Sequence, residues 1–383
     1  METFAGSDIK PDVACYKYAL HAMSESKAHF IEGLGYQAEN ILTRMEENAL
    51  MPDSACFSYA IQTWCNSACR NELTQKEIYE EAGKAHEMLD RMEAMHFRSG
   101  SVVVHTSTVD YNKVMRAWSR SSSQWAVSKV ERLLSNMEKK YKDGDALMRP
   151  NHESYLYAIK TLGNSPDVGD QVDGALAIIS RMKEQYKNGN HACEPNVECY
   201  NAVIAVCGNR NFNSASETEK RKALKCAIDV VQKMRKNKNK EVQPNSRTYN
   251  LGLEAFGVLL DKKSAEYQKV IESVFVKCCN EGLVDDKVIK TFHRIAPYEL
   301  YRRSILVAAS PNVEMDGTPI SDTLFLPEEW TKNINGSTCT RRQSVPLAVD
   351  GRFVHERSRS VSEHKMRRLR TRQNKIMLQG GRM

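Results

Sequence analysis

Eleven cysteines in 383 residues are the first candidates for chemistry, as metal ligands or as disulfides. Their spacing supports neither. The tight groupings are Cys65 with Cys69 and the adjacent Cys278 and Cys279, and no Cys-x-x-Cys pair occurs. The local group His191, Cys193, Cys199 and Cys207 lacks ligands paired about two to four residues apart, as a tetrahedral zinc site needs. An odd number of scattered cysteines reads as reduced thiols in an intracellular compartment.

Catalytic groupings are missing as well. There is no glycine-rich phosphate loop, no G-x-S-x-G turn and no H-E-x-x-H pair. Carboxylates such as Glu46, Glu47 and Glu93 fall at helical spacing and read as a solvated face. Nothing nominates a catalytic residue or a cofactor, and the chain reads as a non-enzyme.

Charge says more once it is localised. The net charge is +7, but residues 351–383 hold ten Lys or Arg against Glu356 and Glu363, so this tail carries +8 and the other 350 residues sum to −1. Arg367, Arg368, Arg370, Arg372 and Lys375 form its densest part. Such a block is an electrostatic foot for phosphate backbones and adds affinity without sequence choice. The alternative is a solvated or targeting tail. Phosphorylation in RSRSVS (357–362) or RRQS (341–344) would offset the charge. No apolar run approaches the roughly 20 residues of a membrane span, so membrane association is not expected.

The elements that would position any site come from an internal repeat. One phrase runs PDVACYKYAL from Pro11, PDSACFSYAI from Pro52, TSTVDYNKVM from Thr106, PNHESYLYAI from Pro150, PNVECYNAVI from Pro195 and PNSRTYNLGL from Pro244, with a faded copy from Val284. Its aromatics are Tyr16, Phe57, Tyr111, Tyr155, Tyr200 and Tyr249, with Ile289 in the last copy, spaced 40 to 54 residues apart. A second phrase alternates with it and ends on Met45, Met92, Met137, Met182 and Met234, with Cys278 as the sixth counterpart. Apolar residues at i, i+3, i+4 and i+7 make each phrase an amphipathic helix. Asp or Asn after Pro is a helix-start signal. Polar stretches such as NRNFNSASETEKR (209–221) read as surface loops between helices. One helix pair cannot bury both of its apolar stripes, so the units must stack. The expected fold is all-α: a superhelical α-solenoid of helix-turn-helix repeats with long inter-helix insertions. The expected organisation is an array over 11–297, a capping segment over 298–340 and a basic tail over 341–383. PYELYRRSILVAA (297–309) reads as one closing helix, and LFLPEEWTKN (324–333) as a segment docked on the last unit.

The P-D/N-x-x-x-Y-N opening, the R-M-E/K close of the second helix and the return to Pro-Asp resemble pentatricopeptide repeats. The resemblance covers about three-quarters of the chain, with units longer than the family's namesake length. It implies binding of single-stranded RNA along a concave face, one base per repeat, read by two or three side chains. The readers implied are the residue after the signature aromatic and the first residue after the next Pro. Carried over, they are Lys17 with Asp53, Ser58 with Ser107, Asn112 with Asn151, Leu156 with Asn196, Asn201 with Asn245, and Asn250 with Asp285. Asn offers a donor and an acceptor to a base edge. By the family's pattern, Asn with Asp favours uracil and Asn with Asn a pyrimidine, so the third, fifth and sixth units resemble pyrimidine readers. For the residues after Pro, helix capping competes with base contact. Leu156 has no polar atom to offer, and Lys17 suits phosphate as well as a base.

The partner implied is thus single-stranded RNA, pyrimidine-rich at some positions, with a processing or ribosomal protein as a further candidate. The role implied is organellar RNA processing, stability or translation, in a mitochondrion or plastid. METFAGSDIKPD carries no visible import signal and reads as the end of a preceding unit, so the expectation is an upstream segment ahead of it. Two alternatives stay open: a helical scaffold that binds protein or peptide partners, and an RNA-processing enzyme whose nuclease domain lies elsewhere.

Overall fold

A computed structural model describes residues 11–26, 33–99, 104–166, 171–306 and 326–334. All of them fall within the unit Met1–Ile334. The described residues contain helices and no strand. Six helix pairs follow one another: α1 Val13–Glu25 with α2 Leu34–Glu47, α3 Ser54–Ala68 with α4 Gln75–Ser99, α5 Thr108–Trp118 with α6 Gln124–Lys142, α7 His152–Asn164 with α8 Gln171–Lys187, α9 Val197–Cys207 with α10 Glu217–Lys236, and α11 Ser246–Leu259 with α12 Ala265–Asn280. The faded copy is α13, Asp286–Ile295. Each first helix packs on the first helix of the next pair, from α1 on α3 through to α11 on α13, and each pair also packs internally. The result is an α-solenoid with the first helices in one row and the second helices in another.

The recurring apolar residues are what hold the rows together. Met45, Met92, Met137, Met182, Met234 and Cys278 are all fully buried, and every signature aromatic is at least nine-tenths buried. Burying a side chain of that size contributes about 1.5–3 kcal/mol. The aromatics also carry polar links to a flanking second helix, the preceding one for Tyr111 and the end of the following one for Tyr249. Tyr249 donates to Glu281 at 2.5 Å, and Tyr111 donates to Glu93, which also takes Lys140. Beneath Tyr200 the residue after the buried Met is Lys183, and its ammonium lies over the ring at 5.6 Å instead. Phe57 has no hydroxyl, and Glu46 there pairs with Arg91 at 2.7 Å. Glu46 and Glu93 are therefore tied between helices, where spacing alone suggested a solvated face, while Glu47 is exposed as expected.

The third and fourth units place extra residues in one 3-10 turn each and the fifth in two, every turn plugged by one buried side chain: Met148, Cys193, Phe212 and Val242. The stretch 209–221 accordingly is no plain loop. Phe212 is buried in its turn, and α10 already begins at Glu217. Sequence periodicity missed this because one apolar residue in a polar run has no period.

After α13 come α14, Tyr298–Tyr301, and a π turn, Arg302–Leu306, in which Leu300, Tyr301 and Ile305 are buried. The helix α15, Glu328–Thr331, closes on the last pair. Val284 N–H donates to the Trp330 carbonyl at 2.9 Å, Asn333 N–H donates to the Gly282 carbonyl at 2.9 Å, and the Trp330 ring stands edge-on to Phe275.

Candidate nucleic-acid interface

Each first helix starts on a residue whose side chain takes up backbone N–H groups left open by helix geometry. Asp53 accepts from Cys56 N–H at 2.9 Å, Asn196 from Cys199 at 3.1 Å, and Asp285 from Val288 at 2.8 Å. Asn151 and Asn245 accept in the same way from Ser154 and Thr248. Ser107 forms a reciprocal box with Asp110. All six residues implied as second readers are thus helix caps.

Four of the implied pairs are physically linked, in different ways. Lys17 meets Asp53 at 2.8 Å. Burial pushes the Asp53 pKa up, but the bonds from Lys17 and the Cys56 N–H outweigh it and hold it below the usual value. Ser58 and Ser107 do not touch directly. Both donate to Asp110, at 2.6 and 2.7 Å, and Lys113 donates to Ser58. Asn112 donates to Asn151 at 3.0 Å and Asn201 to Asn245 at 3.3 Å. Leu156 is buried, and its partner Asn196 serves the helix start. Asn250 Oδ1 is buried without a hydrogen-bond partner, while Asp285 is occupied at its own cap.

The Asn201 and Asn112 sites share one network. Ser154 Oγ donates to Asn112 Oδ1 at 2.8 Å, and Thr248 Oγ1 to Asn201 Oδ1 at 2.7 Å. Asn112 and Asn201 are 5% and 1% exposed, so each amide is oriented by protein groups and keeps one N–H and one lone pair uncommitted.

A groove of about 720 Å³ runs across the ends of α5, α7, α9 and α11, and Asn201 lines it. Its charged walls are Arg116, Arg120, Lys160, Arg210 and Arg247, against the single carboxylate Glu198. Glu198 is paired with Arg247 at 3.1 Å. Burial first, and then the Arg247 guanidinium, pull the Lys160 pKa below its ordinary value, with Glu198 opposing and Arg116 adding to the shift. Lys160 also lies over the Tyr157 ring at 5.5 Å. Arg120 Nε–H is buried with no acceptor. The groove therefore offers clustered cations and an aromatic side chain, which is the chemistry of a phosphate-bearing strand.

Sequence reading did not nominate these cations. A signal existed: Arg116 and Lys160 each follow the signature tyrosine by five residues, and Arg247 precedes its own by two. Charge density along the chain points instead to the tail, whose Arg367, Arg368, Arg370, Arg372 and Lys375 lie outside the described residues. In the local cysteine group, Cys193, Cys199 and Cys207 are buried, and burial raises the Cys199 thiol to about 11.

Residues 166–210 match the family model of the Pentatricopeptide repeat domain. That stretch contains α8 and α9, so it joins the second helix of one pair to the first helix of the next. No curated protein matches the chain in sequence. Among solved structures, the chain is similar to the crystal structure of the pentatricopeptide repeat protein PPR10 in complex with an 18-nt psaJ RNA element, at 17% identity and TM-score 0.40, over 82% of this chain and 41% of that one. A PPR10 variant with three cysteines changed to serine, with the same RNA element, gives 17% and 0.40 over the same shares. The chain thus spans about two-fifths of the length of these structures.

Proposed function

We propose that this pentatricopeptide repeat protein binds single-stranded RNA along its row of first helices, with phosphates in the basic groove and bases toward the residues after the signature aromatics. The observation that carries this reading is the groove itself: five cations, one already-paired carboxylate, and the oriented Asn201 amide among its lining residues. Asn112, Asn201 and Asn250 are the base-contacting candidates, with Asn151 and Asn245 acting through the first two from the caps and Asp285 a separate candidate beside the third. A preference for pyrimidines at these units follows from the family's pattern. Lys17, Ser58 and Leu156, with Asp53, Ser107 and Asn196, contribute little sequence choice on this reading, since an ion pair, a shared carboxylate and an apolar side chain stand in their places. The tail adds affinity without selectivity. The array over 11–297, closed by 298–340, acts by occupancy in organellar RNA processing, stability or translation, with the mitochondrion or plastid as its home.

The test is binding of the full chain to labelled pyrimidine-rich RNA and to a purine-rich control at two salt concentrations. Pyrimidine preference that collapses in Asn201→Ala with Asn250→Ala supports the reading. Equal binding of both RNAs, unchanged by those substitutions, overturns base recognition by the array and leaves the protein-scaffold alternative.

A further inference from the structure

The orientation of a buried amide can be deduced from backbone donors, whose polarity is never in question. Thr248 N–H donates to Asn245 at 3.0 Å, so the accepting atom of Asn245 is its oxygen. Asn201 approaches that same oxygen at 3.3 Å, and only a donor can, so the near atom of Asn201 is its nitrogen. The Asn245 backbone N–H donates to the Thr248 hydroxyl oxygen at 3.1 Å. The hydroxyl hydrogen is therefore free to donate, and it meets the remaining amide atom of Asn201, its oxygen, at 2.7 Å. The hydroxyl also lies 3.1 Å from Asn245 Oδ1, but that oxygen already takes the Thr248 N–H and Asn201. The shorter bond to the Asn201 oxygen is therefore the one that completes a consistent set. The same four bonds recur two units earlier, with Asn151, Ser154 and Asn112 in place of Asn245, Thr248 and Asn201.

We propose that the hydroxyl of Thr248, and that of Ser154 in the earlier unit, is a positioning group that sets which half of the base-facing amide is presented to the ligand. The proposal rests on the RNA reading above. Ser154 and Thr248 are 0% and 1% exposed, so the amide oxygen is turned inward to a buried hydroxyl. The nitrogen is turned toward the cap residue, which is only partly buried, and its second N–H is the group left for a ligand. An N–H presented in this way selects a nucleobase edge that offers a carbonyl acceptor, as uracil does, over one that offers an amino group, as adenine does.

The corresponding position differs elsewhere. It is Cys56, Asp110 and Cys199 after the first, second and fourth units, and Val288 after the sixth. Val288 has no hydroxyl to give, and Asn250 Oδ1 is left without a partner. Its amide is therefore free to turn, and the sixth unit discriminates less than the fifth although both present Asn. Selectivity is then set by three residues per unit in the third and fifth units, the third being a hydroxyl that touches no base.

The experiment compares the full chain with Thr248→Val and Thr248→Ser. One readout is the ratio of affinities for short oligouridylate and oligoadenylate. The other, which needs no RNA, is hydrogen exchange of the Asn201 side-chain amide after selective 15N-asparagine labelling, with the signal assigned by Asn201→Asp. The expected result is a uridylate preference about fivefold or more smaller in Thr248→Val, the scale of one lost hydrogen bond, with faster amide exchange, and both restored in Thr248→Ser. Should Thr248→Val fail to fold, Ser154→Ala with Asn112 as the reporter makes the same comparison. Unchanged exchange in the hydroxyl-free variants overturns the proposal whatever the protein binds, as does an unchanged preference in a protein that does bind RNA. Faster exchange in a chain that binds neither oligonucleotide supports the lock and refutes the RNA reading alone.

Discussion

Tyr155 donates its hydroxyl to Glu138 at 2.7 Å, and the same carboxylate takes the Arg181 guanidinium from the following second helix. One acidic side chain thus ties three helices, α6, α7 and α8, beneath a fully buried ring. Burial and the Glu138 bond push the tyrosine pKa up, so the hydroxyl stays a donor across the working pH range. Tyr155→Phe should cost about 1.5–3 kcal/mol, the usual value of a hydrogen bond to a charged group. Tyr200→Phe should cost less, because the Lys183 contact depends on the ring and not the hydroxyl. Urea midpoints of the two variants check the ordering.

Capping predicts a graded series. Asn196 serves one backbone N–H, whereas Asn245 serves its own helix start and also receives Asn201. Asn196→Ala is expected to destabilise by about 1 kcal/mol and Asn245→Ala by about 2 kcal/mol, the cap plus one orphaned buried partner. Thermal denaturation separates them.

The glycines give opposite signs within two adjacent helices. A Cβ on Gly35 would lie 2.3 Å from the Trp64 ring, so Gly35→Ala forces α2 off that ring and is expected to cost about 1–3 kcal/mol. A Cβ on Gly83, inside α4, meets nothing within 4 Å. Gly83→Ala should raise stability by about 0.5–1 kcal/mol through helix propensity. Melting temperatures of both single variants provide the comparison.

The Lys17–Asp53 pair sets an acid limit on the first two units. Asp53 has a folded pKa below its unfolded value of about 4. Its stabilisation is therefore complete above that unfolded value and is lost as pH falls through the folded one. Both groups are partly exposed, so the effect is no more than about 1 kcal/mol. Asp53→Asn should flatten this part of the stability profile below about pH 4 and leave its shape above pH 5 unchanged, as read from denaturation midpoints across that range.

Groove cations and tail cations make separable predictions for RNA. Removing Arg116, Lys160 and Arg247 together should weaken binding and lower the slope of log affinity against log salt by about 0.7 for each phosphate that is no longer neutralised. Circular dichroism of the triple variant should be unchanged, because Arg116 and Arg247 side chains reach into the groove and not the core. An unaltered slope would place the phosphates elsewhere.

The helix pairs, their stacking and the buried Met positions were legible because they repeat, and repetition turns weak local signals into a strong one. Caps were legible from Asp or Asn after Pro. The plugs Met148 and Phe212 were not, since one apolar residue in a polar stretch has no period to betray it. The groove was only half visible. Arg116 and Lys160 stand at matching offsets, but Arg120 and Arg210 reach it from helix ends, and a cluster drawn from four units has no signature in any one of them. The polarity of the Asn201 amide was out of reach, since it depends on a hydroxyl supplied 47 positions away.

The links between units run along the array in two senses. Lys17, Ser58, Asn112 and Asn201 each reach forward to the opening turn of the next unit's first helix. A unit removed from the far end leaves every earlier opening turn intact, whereas one removed from the near end strips a stay from the turn that follows. The closing turns are stayed in the opposite sense, because Asn66, Asn164 and Asn209 reach back to the carbonyls of Ser24, Ser119 and Gly163. First helices are thus keyed forward at their middles and backward at their ends, and a cut at either end of the row loosens a neighbour.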